Sequence, residues 1–248
     1  MEVRTIAMIG AGVMGHGIAQ VLATAGYDVR LYDLHAEALT AALERIDRGR
    51  YGLRNAVLRG KLPEEQVEAI LARISPTTDL AAACANVDLV VEAVPEDLGL
   101  KVRTFRQLDV LAPPHAILAS NTSGFSIVGI AYATNRPERV IGWHWSSPVP
   151  AMRLAEIAVH PATADDVRDT IVEVATRAGK RPVVIKDTAR HWGFVANRIM
   201  SVVNREARQI VAEGLATPEQ VDELVKDCFR WPVGPFEMTG GRTRQGWE

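Results

Sequence analysis

Residues 5–33 open with Thr5-Ile6-Ala7-Met8-Ile9 and run straight into Gly10-Ala11-Gly12-Val13-Met14-Gly15. A helical stretch follows to Ala25, and a second apolar run, Val29-Arg30-Leu31-Tyr32, ends at Asp33. Strand, glycine turn, helix, strand and acid in this order form the fingerprint of a dinucleotide-binding βαβ unit. Gly10 permits the tight turn out of the strand. Gly12 lacks a Cβ, so the backbone can approach a pyrophosphate, and Val13 and Met14 share that phosphate-facing turn. Gly15 lets the helix approach the strand closely. The helix N-terminus offers unpaired N–H groups and the positive end of its dipole to phosphate. Asp33 lies eighteen positions after Gly15, where a carboxylate accepts hydrogen bonds from a ribose 2′-hydroxyl and repels a 2′-phosphate. The expected cofactor is therefore NAD and not NADP.

Outward from this unit the composition is ordinary. The chain has 248 residues, 48% hydrophobic and 23% charged, with a net charge of −2. No basic field points to nucleic acid or a membrane surface. Cys84 and Cys228 have no metal-ligand spacing and suggest no disulfide framework, so both are expected to be small buried apolar residues. No metal site is expected. There is no signal-peptide pattern and no apolar stretch of membrane-spanning length, which makes a cytoplasmic enzyme the expectation.

Further along, Ala38, Leu39, Leu43 and Ile46 share a helical face. Glu64–Arg73 reads as a second helix opened by Pro63. Together the two look like a helical-hairpin insertion. Apolar runs at Leu89-Val90-Val91, Ile117-Leu118-Ala119, 140–145, 154–159 and 182–185 read as strands. Helices are expected at 100–111 and 126–133, and from a Thr163/Asp166 capping box to Ala178. From Gly193 the pattern is helical throughout, with a second capping box at Thr217-Pro218-Glu219-Gln220. The expected fold is α/β: a Rossmann-type, doubly wound, mostly parallel sheet over residues 1–186, then a small all-helical domain over 187–248.

Ligands of open α/β sheets bind outside the carboxyl ends of the strands. Those ends hold Glu96, Asn121, Ser123, His144 and Ser147. Removing hydride from an alcohol needs a base for the hydroxyl proton, and histidine, which titrates near neutrality, suits that task. His144 is the candidate. Glu156, an acid inside the apolar run Leu154-Ala155-Glu156-Ile157, is the candidate for fixing its tautomer.

These residues sit in segments that resemble the NAD-dependent 3-hydroxyacyl-CoA dehydrogenases, in order and over nearly the whole chain. The segments are Ile9–Gly15, Leu89–Asp97, Ala119–Ser123, Arg136–Gly142, Ser147–Met152, Lys186–Thr188, Gly193–Arg198 and Gly234–Glu237. The resemblance implies that His144 is the catalytic base and Glu156 its partner. It implies that Ser123 and Asn197 hydrogen-bond the reacting oxygen, with Ser123 also near the nicotinamide. Glu96 and Lys101 would line the NAD site, with Asn121 and Ser147 nearby. The reaction implied is reversible oxidation of a 3-hydroxyacyl-CoA to its 3-keto form.

Departures are also legible. The family's His-Phe-Phe-Asn-Pro is here His144-Trp145-Ser146-Ser147-Pro148, which makes the pocket more polar. The link Asp187-Thr188-Ala189-Arg190-His191-Trp192-Gly193 is longer than the family's and lacks its proline. The helical domain reads as a reduced version, and its apolar faces imply a homodimer. Family positions that contact CoA fall on Gly49 and Ala56, with Arg48, Arg50 and Arg54 close by. The serines leave open the same hydride chemistry on a non-CoA hydroxy acid, a carrier-protein thioester or a ring alcohol. A non-catalytic NAD-binding protein is the alternative of another class.

Overall fold

The computed structural model describes residues 1–187 and 192–240. The link residues 188–191, including His191, and the segment 241–248 lie outside the described residues. The chain divides into two compact units, Met1–Trp192 and Gly193–Glu248.

The first unit begins with β1 (Thr5–Ile9), α1 (Val13–Thr24) and β2 (Asp28–Tyr32). The insertion follows as α2 (Ala36–Arg48), α3 (Leu53–Leu58), a 3₁₀ turn at Glu64–Gln66 and α4 (Val67–Leu71). Pro63 ends up as the N-cap of the 3₁₀ turn and not inside a helix. Next come β3 (Ile74–Thr77), α5 (Leu80–Cys84), β4 (Leu89–Glu92), α6 (Leu98–Leu111), β5 (Ile117–Ser120) and α7 (Ile127–Ala131). The unit closes with β6 (Val140–Trp145), β7 (Leu154–Val159), α8 (Asp165–Arg177) and β8 (Arg181–Lys186).

The eight strands form one sheet in the order β3-β2-β1-β4-β5-β6-β7-β8. All neighbours are parallel except β6 and β7, which run antiparallel. The order jumps from β1 to β4, and the switch point lies there, beside the glycine turn. β1, β4 and β5 are almost wholly buried, as strands covered by helices on both faces must be. One core cluster joins α1, α2 and α8 to the sheet and includes Trp143 and Trp145, whose rings lie 4.6 Å apart.

One strand was not foreseen, and two local expectations are corrected. β3 is a strand without an apolar run, since Pro76 is tolerated only because the strand lies at the sheet edge. α8 is capped by Ala164, not by a Thr163 box. Thr163 Oγ1 instead accepts from His160 N–H at 3.1 Å and donates to the Val140 carbonyl at 3.1 Å, tying β6 to the loop before α8. Cys84 is buried as expected, but Cys228 is exposed.

The second unit contains α9 (Val195–Ala212), α10 (Pro218–Phe229) and α11 (Pro235–Gly240). The Thr217/Gln220 capping box forms at the start of α10. Asp222 accepts hydrogen bonds from the N–H groups of Phe236 (2.8 Å) and Glu237 (2.7 Å), which fixes α11 on α10. Among the described residues no helix is long and apolar enough to cross a membrane.

Candidate active site

The glycine turn has the shape its sequence requires. Gly10 adopts φ +99°, and a Cβ there would meet the Ala93 carbonyl at 2.7 Å. A Cβ at Gly15 would lie 1.7 Å from the Gly10 carbonyl. Gly12 has no atom within 4 Å of its hypothetical Cβ, so that side of the turn is open. It is also the N-cap of α1, and neither a side-chain cap nor a first-turn acid answers the N–H groups. That is the donor set a phosphate needs. Asp33 Oδ2 accepts from Ala11 N–H at 2.9 Å and Oδ1 from His35 N–H at 3.1 Å. The acid expected to read a ribose therefore also anchors the turn to the end of β2. Open backbone donors and a fixed carboxylate fit a dinucleotide.

At the ends of β4 and β5 a charged network forms a wall. Glu92 is fully buried. It accepts from Lys101 Nζ (2.8 Å), Ser120 Oγ (2.7 Å) and Val94 N–H (2.7 Å). Lys101 also reaches Glu96 at 3.2 Å and the Val94 carbonyl at 3.2 Å. Glu96 in turn accepts from Thr122 Oγ1 (2.6 Å) and Ser123 N–H (2.8 Å). Burial pushes the Glu92 carboxyl upward, against the lowering pull of Lys101, Ser120 and Val94. Lys101 is itself buried, so its ammonium stands behind Glu96 and braces the loop that presents Ser123. Glu92 was missed as a site residue by sequence reasoning. The one available signal was an acid closing the apolar run Leu89-Val90-Val91-Glu92.

Across the sheet, His144 and Glu156 are register partners on β6 and β7. Directly opposed side chains on antiparallel strands share a face, and His144 Nδ1 lies 2.9 Å from Glu156 Oε2. The carboxylate can only accept, so Nδ1 carries the proton and Nε2 is left as the basic nitrogen. Glu156 is buried and His144 half-buried. Asn121 Oδ1 accepts from Trp145 N–H at 2.9 Å, which latches β6 to the loop leaving β5. Ser147, half-buried, follows two residues after β6 ends. Asn197 lies in the first turn of α9, in the second unit.

Gly49 and Ala56, which the resemblance aligns with CoA-contacting positions, carry no polar side chain. Gly49 ends α2, and a Cβ there would meet the Arg45 carbonyl at 2.5 Å. Of the nearby arginines, Arg48 pairs with Asp47, Arg54 pairs with Asp47 and Glu68, and Arg50 lies 5.5 Å over the Tyr51 ring. No group of three or more potential metal ligands occurs among the described residues.

The sequence and fold match known proteins. Residues 5–188 match the family model described as 3-hydroxyacyl-CoA dehydrogenase, NAD binding domain, and residues 193–240 match 3-hydroxyacyl-CoA dehydrogenase, C-terminal domain. The "Probable 3-hydroxybutyryl-CoA dehydrogenase" of Bacillus subtilis is 41% identical over 238 residues, which is 96% of this chain and 80% of that protein. The 3-hydroxyadipyl-CoA dehydrogenase of Escherichia coli is 41% identical over 239 residues, again 96% of this chain but only 49% of its own length. Among solved structures, FadB2 of M. tuberculosis superposes with a TM-score of 0.90 at 35% identity, covering 96% of this chain and 82% of that one.

Proposed function

The chain belongs to the 3-hydroxyacyl-CoA dehydrogenase family, and on that footing we propose that it interconverts a 3-hydroxyacyl-CoA and its 3-ketoacyl-CoA with NAD. The observation that carries the reading is the 2.9 Å pair between His144 Nδ1 and Glu156, held at the strand ends beyond the glycine turn.

His144 Nε2 removes the substrate's hydroxyl proton as general base. Glu156 keeps Nδ1 protonated and stabilises the imidazolium that forms. NAD would supply the acceptor for the hydride leaving C3. The glycine turn, including Val13 and Met14, and Asp33 would hold its adenosine half. Glu96, with Lys101 behind it, and Asn121 and Ser147 would line the rest of its site. Ser123, oriented through its own N–H bond to Glu96, donates to the reacting oxygen as charge develops there. Asn197 is assigned the same task by resemblance alone. We further place the enzyme in the cytoplasm as a homodimer. Support for the dimer comes from the exposed apolar residues of α9 and α10, among them Ile199, Val202, Leu224 and Phe229.

The test follows NADH consumption with acetoacetyl-CoA, beside acetoacetate and non-CoA keto acids, in the wild type and in His144→Ala. Turnover of the CoA ester that disappears in the variant is the expected result. Turnover of free keto acids alone, or NADH binding without turnover, refutes the reading.

A further inference from the structure

The network at the ends of β4 and β5 carries an unbalanced charge. Two carboxylates, Glu92 and Glu96, share the single ammonium of Lys101. The partners of Glu92 are donors: Lys101 Nζ and Val94 N–H on Oε1, and Ser120 Oγ on Oε2. Ser120 Oγ itself accepts from Thr122 N–H at 3.2 Å, which leaves its own proton for Glu92. The partners of Glu96 are donors too: Thr122 Oγ1 and Ser123 N–H on Oε1, and Lys101 on Oε2. Lys101 spends its third proton on the Val94 carbonyl. Both carboxylates are therefore held as anions, and the triad keeps one negative charge. Lys101 and Glu92 are 1% and 0% exposed and Glu96 34%, so water and salt screen that charge at the Glu96 end alone.

The triad stands where this charge matters. Ala93 N–H donates to the Ile9 carbonyl at 2.8 Å, and the Ala93 carbonyl closes on Gly10, so the turn that leads to Glu96 packs on the glycine turn. A dinucleotide lies across the switch point of such a sheet, with one mononucleotide on each side. Asp33 at the end of β2 marks the adenosine side. The nicotinamide half then falls to the side of β4 and β5. The two redox forms of the cofactor differ there by one charge, since the ring is a cation in NAD and neutral in NADH. Their diphosphates and riboses are the same.

We propose that the triad sets the oxidation-state preference of the cofactor site, its net negative charge favouring NAD over NADH, and that Glu92 is the residue that creates this bias. Without Glu92 the remaining pair, Lys101 and Glu96, is neutral. The proposal rests on NAD lying in the glycine turn. It does not rest on turnover at His144, because binding is read without substrate, so a failed dehydrogenase assay and a missing bias are separate results.

The experiment measures both cofactor forms on the full chain, NADH by its fluorescence and NAD by competition against NADH. The readout is the ratio of the two dissociation constants, NAD over NADH. In Glu92→Gln, which keeps the shape and removes the charge, the ratio is expected to rise about tenfold. Glu96→Gln makes the same change of charge at an exposed side chain, and a rise in the same direction is expected there, which keeps the test decisive if the buried variant does not fold. Glu92→Asp retains the charge and is expected to retain the ratio. The double variant Glu92→Gln/Lys101→Met leaves Glu96 as the one charge, so its ratio is expected to return to the wild-type value although the network is dismantled. A ratio unchanged in both glutamine variants overturns the proposal. So does a double variant that moves the ratio further in the direction of Glu92→Gln, because the architecture and not the charge would then be responsible.

Discussion

The two ends of the sheet build their sites from different materials. At β1 and β2 the site is backbone: glycines without Cβ atoms, open N–H groups at Gly12 and one carboxylate that also ties the turn down. At β6 and β7 the site is side chain: an imidazole and a carboxylate brought together only because two antiparallel strands place residues 144 and 156 opposite each other. The first kind is local and has a sequence fingerprint. The second is set by a pairing register, where a slip of one residue would turn both groups to the other face. Binding and chemistry should therefore fail separately.

The widest separation comes from His144→Ala. With the proposed base gone, kcat is expected to fall by about 10²–10⁴-fold, while NADH affinity measured by fluorescence is unchanged. Loss of both together would mean that the two ends are not independent. Gly15→Ala attacks the other end. Its Cβ would collide with the Gly10 carbonyl, so a loss of about 1–3 kcal/mol in urea melts is expected, together with weaker NADH binding. An unchanged melt would show that the turn gives way easily. Glu156→Gln keeps the shape but not the charge, and about a 10–100-fold loss in kcat with little change in the KM for NAD is expected. An equal rise in that KM would move Glu156 from chemistry to binding.

The smallest effect concerns Lys180, whose ammonium braces the loop after β6. Burial lowers it from 10.5 to about 8. Between those values the unfolded chain holds the proton and the folded chain releases it. This group's contribution to stability therefore rises from about pH 8 to 10.5 and is at its lowest below pH 8. The Tm of the wild type should climb relative to Lys180→Met over that window. Parallel Tm curves for the two proteins would contradict the burial of a charged Lys180.

Legibility in the sequence follows the same division. The glycine turn, Asp33 and the buried parallel strands could be read because each is a short-range pattern. β3 could not, since Ile74-Ser75-Pro76-Thr77 carries neither alternation nor an apolar run and is held by pairing to β2 alone. The pairing of His144 with Glu156 was reachable only by asking why an acid interrupts an apolar strand. Glu96 and Lys101 were named by resemblance, but their pairing through the buried Glu92 was not, because these side chains meet across the turn of a strand into a helix and no spacing rule describes that contact. Thr163 shows the converse. A motif that fits a helix start was recruited by a nearer partner, the Val140 carbonyl.

The tandem tryptophans beside His144 have one more consequence, an optical one. Two indoles 4.6 Å apart with their planes inclined at 46° couple electronically and give a near-ultraviolet dichroic band that depends on their mutual angle. Both belong to the strand that carries the imidazole, so any twist of that strand alters the band. Indole emission also overlaps the absorption of reduced nicotinamide, so a dinucleotide bound at the strand ends quenches the pair by energy transfer. The protein thus carries a label-free reporter of the strand that holds His144.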